Sequence, residues 1–306
     1  MNELDAKIDV CEFLSYYSAK TWHDLMCVHH ELFKMYEVTI TQNLVREFLI
    51  HKKMFSLPMH IYESVNEQAN GNDLEIFVET QNGFLFIPVQ VKVIKQGYKY
   101  PSINHPVGTK QQIDCLIDYA NKKRGIPAYI FYNYCEDYEF EDYVSDYLPG
   151  LDTEQFGCTI GNAYSINSNF FERAGLRKWS IPTFQELHMP LNYAVPLLTA
   201  FSRLINGNSS DVSWFLTRNN SKYFQQIRYY SFEELHVDES WDQMLPPPKI
   251  SGVSNLPGMG DPFEHPTIEP VNRKSRINLP YSPALFTPKY RIIISANHRG
   301  GIWEVS

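Results

Sequence analysis

Asp73, Gln90 and Lys92 combine a carboxylate, an amide oxygen and an ammonium, a set suited to chemistry on a phosphoryl group. Gln90 and Lys92 stand two apart in FLFIPVQVKVI (residues 84–94), the most strand-like run of the chain. Residues two apart on a strand share a face, so these two point together while Val89, Val91 and Val93 face the opposite, apolar side. Asp73 opens a second strand-like run, DLEIFVE (residues 73–79), and reaches the same edge if the two runs pair through the turn at Gln81-Asn82-Gly83. A carboxylate and an amide oxygen suit a hard Mg²⁺ or Mn²⁺ ion, which prefers oxygen ligands. Such an ion polarises a phosphoryl oxygen and acidifies a bound water, and the Lys92 ammonium orients that water or offsets developing negative charge. Taken singly, each residue also has a plainer role. Asp73 follows Asn70-Gly71-Asn72 and could be a turn former; Gln90 could be a polar edge residue and Lys92 a solvent-facing one.

The elements that must position these residues have their own signals. Residues 11–35 carry apolar side chains at helical spacing without Gly or Pro, which predicts one long helix or a helical pair. Thr39 and Gln42 form a capping-box pattern that predicts a second helix, ending before Pro58. Residues 60–65 (HIYESV) read as a short strand, residues 70–72 as a tight turn, and residues 73–79 as the next strand. Pro88 cannot donate to a ladder, which predicts a bulge or a strand that effectively starts there. A further helix is expected from Thr109, with Gln112 completing its capping box. Ile113, Leu116, Ile117 and Ala120 make its apolar face, Lys122, Lys123 and Arg124 sit at its C-terminal end, and Gly125 terminates it. PAYIFYN (residues 127–133) reads as a buried strand parallel to the one before the helix. The expected fold class is α/β with a mixed sheet, an α+β arrangement in the order helix, three strands, helix, strand.

These blocks resemble the PD-(D/E)XK nuclease superfamily, in which an acid opens one strand and an acid, or in Mrr-like members a Gln, stands two residues before a Lys on the next. More narrowly, NGNDLEI, VQVK, QQIDCLIDYA and PAYIFYN look like an uncharacterised bacterial family with E…GADxE, VQAK and PxYxFYN blocks. The resemblance covers roughly residues 37–135. It implies a restriction-endonuclease-like αβββαβ core, a Mg²⁺- or Mn²⁺-dependent endonuclease acting on DNA or less readily RNA, and a place in bacterial anti-phage defence. It also implies a second acid near Asp73 and Gln90. Glu37 and Glu47 are favoured because the family supplies one from its first helix, with Glu63 and Glu75 as rivals. Gln112 falls where family members contact metal-bound water or the scissile phosphate, and is a supporting residue.

Charge is unevenly distributed. The net charge is −8, yet between Gln90 and Gly125 seven cations stand against two acids, a local excess of +5, whereas residues 134–154 hold eight acids and no cation. Lys95, Tyr98, Lys99, Tyr100 and Lys110 are therefore candidate nucleic-acid contacts, the tyrosines by base stacking. Tyr129, Phe131 and Tyr132 could stack bases too, although a run like YIFY is more often core, and the acidic stretch could be a solvated insertion or a cover for the cationic groove. The Gln at position 90 and the overall negative charge also motivate a different class of function: a catalytically silent nuclease-fold module that binds nucleic acid or a protein partner.

Five cysteines occur without CxxC or zinc-type Cys/His spacing, which fits reduced thiols. Residues 1–13 lack a signal-peptide pattern, and no apolar run reaches the roughly 18 residues of a membrane span. A cytoplasmic protein that does not engage membranes, with a protein partner or a second copy as an option, is expected. The organisation read from the sequence is an N-terminal helical segment (residues 1–36), a nuclease-like core (37–135), an acidic and mixed helical region (136–240) and a Pro-rich arm with a terminal strand (241–306). Helical segments are expected at residues 193–205 and 221–234. The arm holds ten of the 19 prolines and is expected to be an irregular extension laid over the surface.

Overall fold

In the computed structural model of the protein, residues 10–30, 34–55, 57–64, 74–103, 106–107, 109–148, 150–172, 181–189, 193–206, 227–235, 241–244 and 288–295 are described. The absence of Gly and Pro from its N-terminal part lets one helix, α1 (Val10–His30), run for 21 residues. Its buried positions 10, 13, 14, 17, 18, 21, 22 and 25 fall on one stripe, as an amphipathic helix requires. Helix α2 (Glu37–Phe55) buries Ile40, Leu44 and Phe48 at four-residue intervals. The predicted capping box does not form: Ile40 N–H donates to Tyr36 O at 3.2 Å, so the helix is entered before Thr39, which is exposed.

Strands β1 (Met59–Ser64), β2 (Leu74–Thr80) and β3 (Gly83–Val93) follow. β2 and β3 form the expected antiparallel pair through the Gln81-Asn82 turn, with Leu74 opposite Val89 and Glu75 opposite Pro88. Gly83 has a positive φ of 115°, and a Cβ there would lie 2.8 Å from Tyr230 O, so only glycine fits the turn. β3 runs unbroken through Pro88, contrary to the bulge or late start expected. The reason is where its neighbours lie. On the side away from β2, the pairing with Tyr229 and Tyr230 ends at Leu85, and the pairing with the next strand begins at Val89. Pro88 occupies the gap between them, where a missing donor costs least.

After the short β4 (Pro106–Val107) and β5 (Lys110–Gln111) comes α3 (Gln112–Lys123), then β6 (Ala128–Tyr132). β6 pairs parallel to β3, as the strand–helix–strand order predicts. The helix does not start at Thr109: residues 110–111 pair with residues 106–107, Gln111 is the N-cap, and no side chain caps the helix there. At the other end Arg124 takes the left-handed conformation (φ 54°). Gly125 follows it because a Cβ would meet the Phe86 ring at 2.4 Å.

The remaining described elements are α4 (Tyr138–Tyr147), β7 (Cys158–Asn162), α5 (Ala163–Ile166), α6 (Phe184–His188), β8 (Ala194–Pro196), α7 (Leu197–Asn206), β9 (Tyr229–Tyr230), β10 (Trp241–Gln243) and β11 (Tyr290–Ile294). The acidic stretch is anchored rather than wholly solvated. Asp137 caps α4 by accepting from Glu139 N, and Phe140 and Val144 are buried. In the described part of residues 221–234 the expected helix is replaced by β9 and a 3₁₀ turn at Glu233–Leu235.

Apart from the β4–β5 pair, the described strands make one mixed sheet, in the order β10-β1-β11-β2-β3-β6-β7-β8, with β9 beside the start of β3. β11 was foreseen as a strand, but not its place. It lies between β1 and β2, antiparallel to the first and parallel to the second, so β1 and β2 are not partners. Alternation divides the sheet faces cleanly. Val89, Val91 and Val93 join α1, α2 and α7 in one large core, while Tyr129 and Phe131 pack with Ile113 and Leu116 of α3 on the other face. The fold is therefore mixed α/β with helices on both faces of the sheet. Among the described residues no helix is long and apolar enough to cross a membrane.

Candidate active site

Side-chain alternation along β3 puts Gln90 and Lys92 on the α3 face, opposite the valines. Both are nearly inaccessible, at 3% and 2% exposure. Lysine is almost never buried this deeply unless its ammonium is held. Here Lys92 Nζ donates to Gln112 Oε1 at 2.6 Å. Gln112 is the first residue of α3, so the side chain expected to cap the helix instead ties it to the strand. Gln112 thus supplies one acceptor for the buried ammonium.

Glu37, the first residue of α2, also reaches this end of β3. Its Oε1 accepts from Val93 N at 3.3 Å and from Ser102 Oγ at 3.1 Å. The backbone that Glu37 grips, at Val93, and the side chain that Gln112 grips, at Lys92, belong to consecutive residues. Two helices and a strand thus converge on residues 90–93. Asp73 lies outside the described residues.

The other acids considered are held elsewhere. Glu47 lies ten residues along α2 from Glu37, about 15 Å by helical rise, and is engaged by Arg46 Nη2 at 3.0 Å and faces His51 Nδ1 at 3.9 Å. Glu63 is on β1, three strand spacings or about 14 Å from β3, and faces Lys289 at 4.0 Å. Glu75 shares the face of Gln90 and Lys92, but its partner Pro88 is four residues, about 13 Å, from Lys92. It is fully buried and takes Arg291 Nη2 at 2.6 Å, Arg291 Nε at 2.7 Å, Lys123 Nζ at 2.9 Å and the Tyr119 hydroxyl. Burial alone would raise its carboxyl pKa, but the Arg291 and Lys123 charges outweigh that and hold it below the ordinary range. Glu75 is thus a structural anion that fastens β11 and α3 to β2.

The candidate nucleic-acid contacts divide as well. Lys95 and Lys99 are exposed and bridge each other through their backbones. Lys110 is exposed and paired with Asp118 at 2.5 Å. Tyr98 is partly exposed with φ 53°. Tyr100 is corrected: it is 0% exposed, and its hydroxyl donates to Asn133 Oδ1 at 2.5 Å, so it has no face for a base. Tyr129, Phe131 and Tyr132 are likewise core.

Tyr100 heads a polar chain that the sequence did not disclose. Asn133 Nδ2 donates to Phe156 O at 2.7 Å and Thr159 Oγ1 at 3.0 Å; the Thr159 hydroxyl contacts His188 Nε2 at 2.8 Å, and His188 Nδ1 contacts Phe184 O at 2.7 Å. A carbonyl can only accept, so Nδ1 carries the proton, Nε2 accepts from Thr159, and the ring is neutral. Burial lowers the His188 pKa to about 4. The Asn closing the YIFYN block was the available signal, because a strand end that buries an amide needs partners for it. Burial also pushes the Cys135 and Cys158 thiols up to about 12, so neither supplies a thiolate near neutral pH.

Oxygen donors at residues 90 and 37 have the chemistry for a hard cation. Among the described residues, however, no group of three or more His, Cys, Asp or Glu side chains is gathered where it could hold a metal ion.

Fold and site together define a mixed α/β protein with a buried lysine–glutamine pair where two helix N-termini meet the end of a central strand. The chain belongs to a family of unknown function, DUF6615, whose model matches residues 10–236. No curated protein and no solved structure matches it.

Proposed function

We propose that the protein is a metal-dependent phosphodiesterase that cleaves nucleic acid, DNA in preference to RNA, in the manner of PD-(D/E)XK nucleases. The observation that carries this reading is the Lys92 ammonium, buried on the face of Gln90 and fixed at 2.6 Å from Gln112 at the end of β3. Burying such a charge is costly, and the fold spends two helix ends on the surroundings of this one. Asp73, Gln90 and Glu37 are the residues that would hold a Mg²⁺ or Mn²⁺ ion, whose chemistry there is to polarise the phosphoryl oxygen and acidify a bound water. Lys92 orients the attacking water and offsets charge building on the phosphoryl oxygens. Gln112 holds Lys92 in that position. The water oxygen bonds to phosphorus, one ester P–O bond breaks, and the departing oxygen takes up a proton. A role in anti-phage defence belongs to the same proposal by family resemblance.

The test is incubation of plasmid DNA with Mg²⁺ or Mn²⁺, comparing the protein with Asp73→Ala and Lys92→Ala. Cleavage by the native protein alone supports the reading, whereas equal cleavage by all three overturns the residue assignment. Gln90, where an acid would bind metal more tightly, favours one alternative: a silent module of the same architecture that binds nucleic acid or a protein. Calorimetric titration with Mn²⁺ separates the two, since a silent module shows no binding that depends on Asp73.

A further inference from the structure

Beside the Lys92 end of β3 lies a groove of about 610 Å³ that no step of the proposed reaction uses. The volume is within the range of small-molecule sites, about 300–1,000 Å³. Its floor is apolar, made by Leu25 and Val28 of α1 and by Val93. One wall is aromatic. The Tyr98 ring stacks on His29 at 5.7 Å and 23°, and His29 in turn lies 5.7 Å from Tyr134. Tyr98 takes a positive φ of 53°. Two exposed lysines, Lys34 and Lys95, stand on its rim. Tyr36, 61% exposed, closes the side next to Glu37. Val93 thus belongs to both places: the residue borders the groove and its N–H donates to Glu37.

We propose that this groove holds an unpaired base of a single-stranded nucleic acid whose phosphates lie on Lys34 and Lys95. The inference deepens the hydrolytic reading and rests on it for nucleic acid as the class of occupant. In a duplex every base face is covered by its neighbours, so an aromatic wall backed by an apolar floor has nothing to take from it. An unpaired base offers a free face, and the lysines at the rim take the phosphates. The occupant is therefore a single strand, or a strand locally opened, rather than an intact duplex.

The experiment measures fluorescence anisotropy of a labelled dT12 oligonucleotide, and of the same strand annealed to dA12, against the full-length protein in EDTA so that no hydrolysis consumes the probe. Tyr98→Leu removes the stacking face, and Lys95→Glu removes a rim cation at an exposed position, both variants being checked as folded by circular dichroism. The single strand is expected to bind at least tenfold tighter than the duplex. Tyr98→Leu should weaken single-strand binding by about tenfold while leaving duplex binding unchanged, and Lys95→Glu should reduce the slope of log affinity on log salt by about one. Crosslinking of a 4-thiothymidine strand should map to Tyr98, His29 or Tyr134. Equal affinity for both probes, unchanged binding and salt slope in both variants, or crosslinks elsewhere would overturn the proposal. Tight single-strand binding without cleavage in Mg²⁺ or Mn²⁺ supports the groove and contradicts hydrolysis. Cleavage without strand preference supports hydrolysis and contradicts the groove.

Discussion

Lys92 Nζ stands 2.6 Å from Gln112 Oε1, joining the end of a central strand to the first turn of α3 across twenty residues of sequence. The bond gives Gln112 a positioning role rather than a capping one. Replacing it by Met keeps the side-chain length and removes the acceptor. Gln112→Met is expected to lower kcat for nucleic-acid cleavage by about tenfold with KM nearly unchanged, because the loss falls on charge that develops in the transition state. Thermal melting should also fall, because a buried ammonium loses an acceptor, so kcat is compared on protein shown to be folded by circular dichroism. An unchanged kcat would assign Gln112 to structure alone.

Glu75 and Arg291 fasten the C-terminal strand into the middle of the sheet. Removing one partner of a buried ion pair leaves the other desolvated and uncompensated, at a cost of about 3–5 kcal/mol. Glu75→Gln and Arg291→Met should each destabilise by about that amount in urea titrations. The double variant should cost clearly less than the two single costs combined. Strict additivity would show that the pair is not coupled.

Acid should weaken the fold in two windows. The His188 pKa is lowered to about 4 by burial, against about 6.5 when unfolded. Between those values the unfolded chain binds a proton that the folded one refuses, so stability falls as pH drops from about 6.5 to about 4, by up to about 3 kcal/mol. The Glu75 carboxyl, held low by Arg291 and Lys123 against its burial, contributes stability above the unfolded carboxyl pKa and loses it at lower pH. Urea midpoints taken from pH 7 to pH 4 should decline, and His188→Gln should flatten the upper window. A flat profile in the native protein would contradict the neutral, buried ring.

What the sequence disclosed follows from the range of the interactions. Alternation along residues 84–94 placed Gln90 and Lys92 on one face, and the strand–helix–strand order gave the parallel β3–β6 pair; both are local signals. The place of β11 was not legible. Its insertion depends on pairing with residues more than 200 positions away, such as Arg291 with Glu75, and the run YRIII carries no mark of its partner. The capping boxes misled for the same reason. Gln112 makes a bond to Lys92 that a helix-start pattern cannot anticipate, and the start of α2 was set by Tyr36 and Glu37. Tyr100 and Tyr98 are two residues apart with the same side chain. One is buried against Asn133 and the other faces a groove, a difference made wholly by tertiary packing.

The central claim is that the Lys92 site hydrolyses phosphodiester bonds, and the rate of cleavage of a labelled DNA strand in Mn²⁺ tests it most directly. The native protein should cleave, EDTA should abolish cleavage, and Lys92→Met, folded by circular dichroism, should be slower by at least about a hundredfold. Cleavage that persists undiminished in folded Lys92→Met, or no cleavage by the native protein with either Mg²⁺ or Mn²⁺, would contradict it.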